Sequence, residues 1–305
     1  MKTHVRFLFI TCLILPQSHL LTAREVLTRT TSAETTWTVQ PSGTTANLYA
    51  VDAVSRNVAW AAGANGVVLR TTNEGAAWLD AHISGGDVVT VAGLDENNAI
   101  VGTVSASGSR IWKTTNAGLT WVARDSGRQY YNLQMVTSTV GYCAAGHVLG
   151  GELIKTTDGG DTWRSVLVPG AILDMFWYDT GRGWCLLSNN VVFRTTNGGA
   201  TWQFSLTTLP AIFSLHFNSP QLGLVGSQTG SMNRSTDGGV TWTTGPAAIP
   251  GAVLSMTGVP GTQEFWAPAN TNVYYTSNAG NNWTTSPPNG RIGLTSVADI
   301  SMVTE

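Results

Sequence analysis

Any chemistry run by this chain must draw on few ionisable groups, because only 11% of its 305 residues are charged. Hydrolysis of a glycosidic bond needs two carboxylates facing each other across a cleft. Outside the repeated turns described below, Asp52, Asp174 and Asp299 fall in apolar runs that could border such a cleft. Asp174 stands in Ile-Leu-Asp-Met-Phe-Trp-Tyr-Asp, just ahead of Trp177 and Tyr178, and aromatic rings beside a carboxylate suit a sugar. The competing reading of Asp174 and Trp177 is a core strand carrying one polar residue. A second pattern is cationic: Arg29, Arg70, Lys113, Lys155, Arg194 and Arg234 recur at one place in successive repeats, and Tyr275 breaks the series. Such a column could offer a surface to an anionic partner, or its stems could pack while each head bonds a neighbouring loop. His147 and His216 have no partners at metal-ligand spacing, and no Gly-x-Ser-x-Gly nucleophile turn occurs. No catalytic residue, metal ligand or cofactor is assigned on these grounds.

The elements that must position these groups are repeats. Six segments share the form Ser/Thr-x-Asp/Asn-x-Gly-x-x-Trp: Thr71, Asn73, Gly75 and Trp78; Thr114, Asn116, Gly118 and Trp121; Thr156, Asp158, Gly160 and Trp163. The others are Thr195, Asn197, Gly199 and Trp202; Ser235, Asp237, Gly239 and Trp242; and Thr276, Asn278, Gly280 and Trp283. Their tryptophans are 43, 42, 39, 40 and 41 residues apart. Asp or Asn followed by Gly is turn chemistry, since the short side chain accepts backbone N–H groups and Gly allows positive φ. The Ser/Thr hydroxyl can close a further local bond, and the Trp opens the next strand as an apolar anchor. One Asp or Asn per loop lacks the several carboxylates of a calcium loop. A worn seventh copy, Val-Leu-Thr-Arg-Thr-Thr-Ser-Ala-Glu-Thr-Thr-Trp at 26–37, has Ser32 and Glu34 in place of the Asp/Asn and Gly.

Each unit of about 40 residues reads as four short strands joined by tight turns, and radial repetition of four-stranded units is a β-propeller. The expected fold is all-β, a seven-bladed propeller, with six blades as the alternative. The seventh blade would be a composite of N-terminal strands at 26–30 and after Trp37 with a C-terminal strand at 294–303. Residues 1–23 read as an export signal: a basic start, the apolar run 7–16 and a cleavage point after Ala23. Residues 24–305 then form one domain. No transmembrane segment remains after signal removal, because no other run approaches the ~20 apolar residues of a spanning helix. The formal charge of −2 gives no footprint for nucleic acid. Cys143 and Cys185 hold the same place in consecutive repeats, where a disulfide would not reach, and read as small buried hydrophobes.

At these boxes the chain resembles the Asp-box, or BNR-repeat, family over about 26–303. Arg-Thr-Thr-Asn-Gly-Gly-Ala-Thr-Trp at 194–202 and Lys-Thr-Thr-Asp-Gly-Gly-Asp-Thr-Trp at 155–163 are similar to repeats of the photosystem II assembly and stability factor type. Such repeats also occur in sialidases, xyloglucan-cleaving glycosidases and sortilin-type receptors, so they indicate fold more than function. A sialidase resemblance would imply an arginine triad, a Phe/Tyr-Arg-Ile-Pro motif and a Tyr nucleophile backed by Glu. The Arg-Ile-Pro motif is absent and no Glu sits beside a Tyr in a strand. In the photosystem factors a basic patch is thought to meet a protein partner. The expected function is an exported, non-enzymatic module binding an unknown protein or extracellular polymer. The alternatives are a glycoside hydrolase at the channel mouth and a photosystem II assembly role.

Overall fold

The computed structural model describes residues 25–28, 38–106, 108–147, 150–245, 247–270 and 272–286. They form six four-stranded antiparallel sheets, each a simple meander, and one two-stranded sheet. The blades span 48–80, 87–126, 129–166, 172–206, 212–244 and 257–286, numbered 1 to 6 here in chain order. Their first strands, Leu48–Ala53, Asp87–Gly93, Gln129–Met135, Ile172–Trp177, Ile212–Phe217 and Thr257–Gly258, pack on one another in succession and are therefore the innermost.

The propeller has six blades, which corrects the expectation of seven. The N-terminal strands Glu25–Thr28 and Thr38–Pro41 pair only with each other, in a two-stranded sheet. Neither terminal segment contributes the inner half of a further described blade, and the expected C-terminal strand at 294–303 lies outside the described residues. The two described strands ahead of blade 1 correspond to the last two strands of a repeat, and no described strand pairs with them to supply the first two. The short sheet still makes the contact an outer strand would make. Gln40 donates to the Glu74 carbonyl and lies where a Cβ on Gly75 would stand. Residues 29–37 of the worn copy, Arg29 among them, and the export signal also lie outside the described residues.

The core lies between the blades. Tyr142 of blade 3 stacks on Trp177 of blade 4 at 3.4 Å between ring centroids, and Trp184 of blade 4 stacks on Phe217 of blade 5 at 3.7 Å. The box tryptophans close these stacks edge-on: Trp202 on Trp177 at 5.9 Å and Trp242 on Phe217 at 5.9 Å. Each such aromatic pair is worth about 0.5–1.5 kcal/mol beyond its area. Cys143 is buried in the seam of blades 2 and 3 and Cys185 in that of blades 3 and 4, and no disulfide joins them.

Candidate functional site

The boxes form as their residue types dictate. In blade 1 the Thr71 hydroxyl donates to Asn73 Oδ1 and accepts the Gly75 N–H, while Asn73 Oδ1 accepts the Ala77 N–H. Blades 3 and 5 repeat this with Asp158 and Asp237, each also accepting a Thr hydroxyl four residues on. Bonds from the side chain and amide of Thr162 hold the Asp158 carboxyl well below the usual carboxylate range. At Asp237 burial works to raise the pKa, but the Thr241 and Ser235 bonds outweigh it and hold it at about 2. The box Gly is required twice. Gly118 has φ +84°, and a Cβ there would lie 2.3 Å from the Cβ of Ala81 in the preceding blade. Gly160 meets Ile100 in the same way. Each box is therefore pressed into a seam.

The cation column spans the same seams. Arg70 donates to the Glu96 carbonyl of blade 2, Lys113 pairs with Asp161 in the box of blade 3, and Lys155 donates to the Gly198 carbonyl in the box of blade 4. Arg234 reaches Asn281 in the box of blade 6. Arg194 differs, bonding Gln203 of its own blade. Beside it the seam between blades 4 and 5 holds a cavity of about 100 Å³, bordered by Arg182, Trp184, Arg194 and Asp237. At about 30 Å³ per water, that volume fits a few solvent molecules.

The channel-side acids occupy the inner strands, and their oxygens are turned to the next blade. Asp174 Oδ1 accepts Asn132 Nδ2 of blade 3 at 2.7 Å and the N–H of Met175, and Oδ2 accepts the Leu215 N–H of blade 5 at 2.9 Å. Asp52, 2% exposed, accepts the Gly93 N–H of blade 2 at 2.8 Å. Both carboxylates belong to a column of staples. Thr90 accepts the Leu133 N–H, Gln134 exchanges two bonds with the Trp177 backbone, and Ser214 donates to the Val253 carbonyl. The structure thus does not set Asp52 and Asp174 against each other across a cleft: one spans the seam of blades 1 and 2, the other the seams on either side of blade 4. Trp177 is buried in its stack, 2% exposed. Asp299 lies outside the described residues.

Two groupings escaped the sequence because they join distant strands. Arg128 bridges Asp125 at 2.8 Å and Glu152 at 2.7 Å, and the Tyr130 hydroxyl donates to Asp125 at 2.8 Å. The Arg128 bond pulls the Glu152 pKa down, and burial followed by Asp125 pushes the Tyr130 phenol up, so Tyr130 is held protonated. This cluster ties the exit of blade 2 to blade 3. The second grouping is Tyr275, which donates to Glu264 Oε1 at 3.1 Å at the box end of blade 6. The break in the cation column was the one signal pointing to it. His216 is buried between Phe176 and Phe265, and burial pushes its pKa down to about 3. No cluster of metal-ligating side chains forms among the described residues.

The family model of the photosynthesis system II assembly factor YCF48 matches residues 162–297. Among solved structures, YCF48 bound to a D1 peptide superposes with a TM-score of 0.62 at 14% identity, covering 80% of this chain and 81% of that one. YCF48 from Cyanidioschyzon merolae gives 0.63 at 20% identity, covering 81% and 86%. An ancestral GH74 enzyme gives 0.60 at 15% identity, covering 78% of this chain and 38% of that one. No curated protein matches the sequence. The chain is a β-propeller of Asp-box repeats, and over residues 162–297 it is similar to the photosystem II assembly factor family.

Proposed function

We propose that this chain is an exported, non-enzymatic propeller that binds another protein. The observation that carries the reading is the use made of Asp174: both carboxylate oxygens accept bonds, two of them from other blades, so the residue holds the ring together. Hydrolysis of a glycoside needs a second carboxylate across a cleft, and Asp52 is committed to a different seam. The peptide bound to the YCF48 of similar fold supports a protein partner over a polymer, and the same likeness admits an assembly role in a photosynthetic host. Export rests on the basic and apolar N-terminal residues. The test is in-cell crosslinking of the full chain, followed by isolation from the envelope fraction and mass spectrometry. A stoichiometric protein partner and a mature N-terminus at Arg24 are expected. A chain recovered from the cytoplasm, or one that turns over glycosides without a protein partner, would overturn the reading.

A further inference from the structure

The outermost strand of a propeller blade leaves a row of backbone N–H and C=O groups unpaired, so each blade edge has to be kept short or otherwise blunted. Five of the six outermost strands are. Leu79–Asp80 and Thr243–Thr244 are two residues long, and Thr284–Ser286 is short and polar. Arg164–Val166 opens on a cation, and Val122–Ser126 carries Arg124, Asp125 and a bulge between Ala123 and Asp125. Gln203–Leu206 of blade 4 has none of these devices. It lies at the edge of its sheet, its register with Val191–Arg194 is unbroken, and no charged residue occurs over 203–211.

The side chains of this strand alternate. Ser205 is buried against blade 5, where its hydroxyl donates to the Gly239 carbonyl and accepts the Trp242 indole N–H. That grip holds the strand and turns Phe204 and Leu206 to the other face, each 67% exposed. Their cross-strand partners Phe193 and Val191 stand beside them on the same face, both half-buried, with the Phe193 and Phe204 rings 6.1 Å apart. The outer strands of blades 1 and 2 expose one large apolar residue each, Leu79 and Val122. Among the described outer strands, blade 4 alone joins an open edge to an apolar stripe.

We propose that this edge pairs with the same edge of a second copy of the chain, giving an antiparallel two-fold dimer through residues 203–207. The unpaired row of N–H and C=O groups selects an extended strand as its occupant, and the side chains select the strand's own copy. Antiparallel pairing centred on Ser205 sets Phe204 against Leu206 of the other copy, twice, and Gln203 against Thr207. A two-fold axis through Ser205 and perpendicular to the sheet brings the exposed faces of both strands together, so four large apolar side chains meet. Charge agrees with self-pairing. A charge near the axis would meet its like in a second copy, and this edge carries none. A strand of another protein is recognised better by opposite charges. Arg194, bonded to Gln203, and Arg164, which holds the place of Gln203 in blade 3, both stand at one end of the strand. In an antiparallel pair the cations of the two copies therefore lie at opposite ends. Pairing consumes both edges, so growth stops at two. Five residues a side bury less than the roughly 1,200 Å² of a stable interface, so the dimer forms only at high concentration.

The test is sedimentation equilibrium of the full chain, as its host processes it, with hydrogen exchange followed on the same samples. The mean mass should rise from monomer toward dimer with a dissociation constant on the order of 100 µM, the range of a small interface. Amides of 203–207 should exchange more slowly as concentration rises. Phe204→Lys and Leu206→Lys should each weaken the dimer about 10-fold or more, because a lysine blunts an edge, with the urea unfolding midpoint unchanged. Phe204→Ser should act in the same direction with less risk to folding, and Val122→Lys on the edge of blade 2 should change nothing. A monomer at every concentration, growth beyond two copies, or a dimer indifferent to all three blade 4 substitutions would overturn the proposal. Protection of 203–207 only on adding the crosslinked partner would give the edge to that protein, sinking this proposal and leaving the protein-binding reading intact. A dimer sensitive to these substitutions in a chain that crosslinks to no other protein would support the proposal and remove that reading.

Discussion

Replacing Asp174 with Ala should unfasten blades 3, 4 and 5 at once. The substitution removes the acceptor for Asn132 Nδ2 and for the Leu215 N–H, both in the inner seams. Stranding a buried donor costs about 1–3 kcal/mol, so two of them set an expected loss of roughly 2–5 kcal/mol. Asp174→Asn keeps one good acceptor and turns an N–H group toward one of the two donors, so its cost should be smaller, about 1–2 kcal/mol. Equilibrium urea unfolding followed by tryptophan emission is a direct assay, because Trp177 and Trp202 sit in the affected seam. For a domain of this size about 2–4 °C of melting temperature accompanies each kcal/mol, which puts Asp174→Ala near 5–15 °C below the parent. A cost under ~0.5 kcal/mol for Asp174→Ala would refute the staple argument, since surface substitutions commonly fall in that range.

Four further outcomes follow from the same structure. His216 is buried with its folded pKa pushed down to about 3 against an unfolded value of 6.5, so the unfolded chain takes the proton first. Its contribution is intact above pH 6.5 and is lost as pH falls toward 3; between pH 7 and 5 stability should drop by about 2 kcal/mol, and His216→Gln should flatten that slope in urea titrations. Gly118→Ala meets both positive φ and the Ala81 Cβ, and a melting scan should show a loss of about 2 kcal/mol or more. Asp158→Ala strands box N–H groups at the surface and should cost about 1–2 kcal/mol by urea unfolding. Cys143 and Cys185 should resist iodoacetamide in the native state and react on unfolding, with no stability change on adding reductant.

The repeat frame was legible because its determinants are local. Six boxes at near-constant spacing place six turns, and the strands between them are bounded by Gly, Asn and Ser. Blade number was not local. It depends on what the chain ends pair with, and two strands of a worn repeat resemble half of a blade whether or not the other half is completed. The site residues divide in the same way. Arg70, Lys113, Lys155 and Arg234 stood out as a column, and the structure adds that their heads cross to the next blade, a distance in sequence of 26 to 48 residues. Asp174 beside Trp177 admitted both a sugar-site and a core-strand reading, because a strand shows neighbours along the chain but not across a seam. Its actual partners, Asn132 and Leu215, are 42 and 41 residues away, one repeat in each direction. The Asp125, Arg128, Glu152 and Tyr130 cluster had no signature for the same reason.

The central claim is that the channel-side carboxylates serve the ring and not a reaction. Its most direct test is turnover of a panel of chromogenic glycosides by the parent chain, by Asp174→Asn and by Asp52→Asn, with unfolding midpoints measured on the same preparations. The account expects no turnover above buffer from any of them and lowered midpoints for both variants. Turnover by the parent that either substitution abolishes, with its midpoint unchanged, would contradict it.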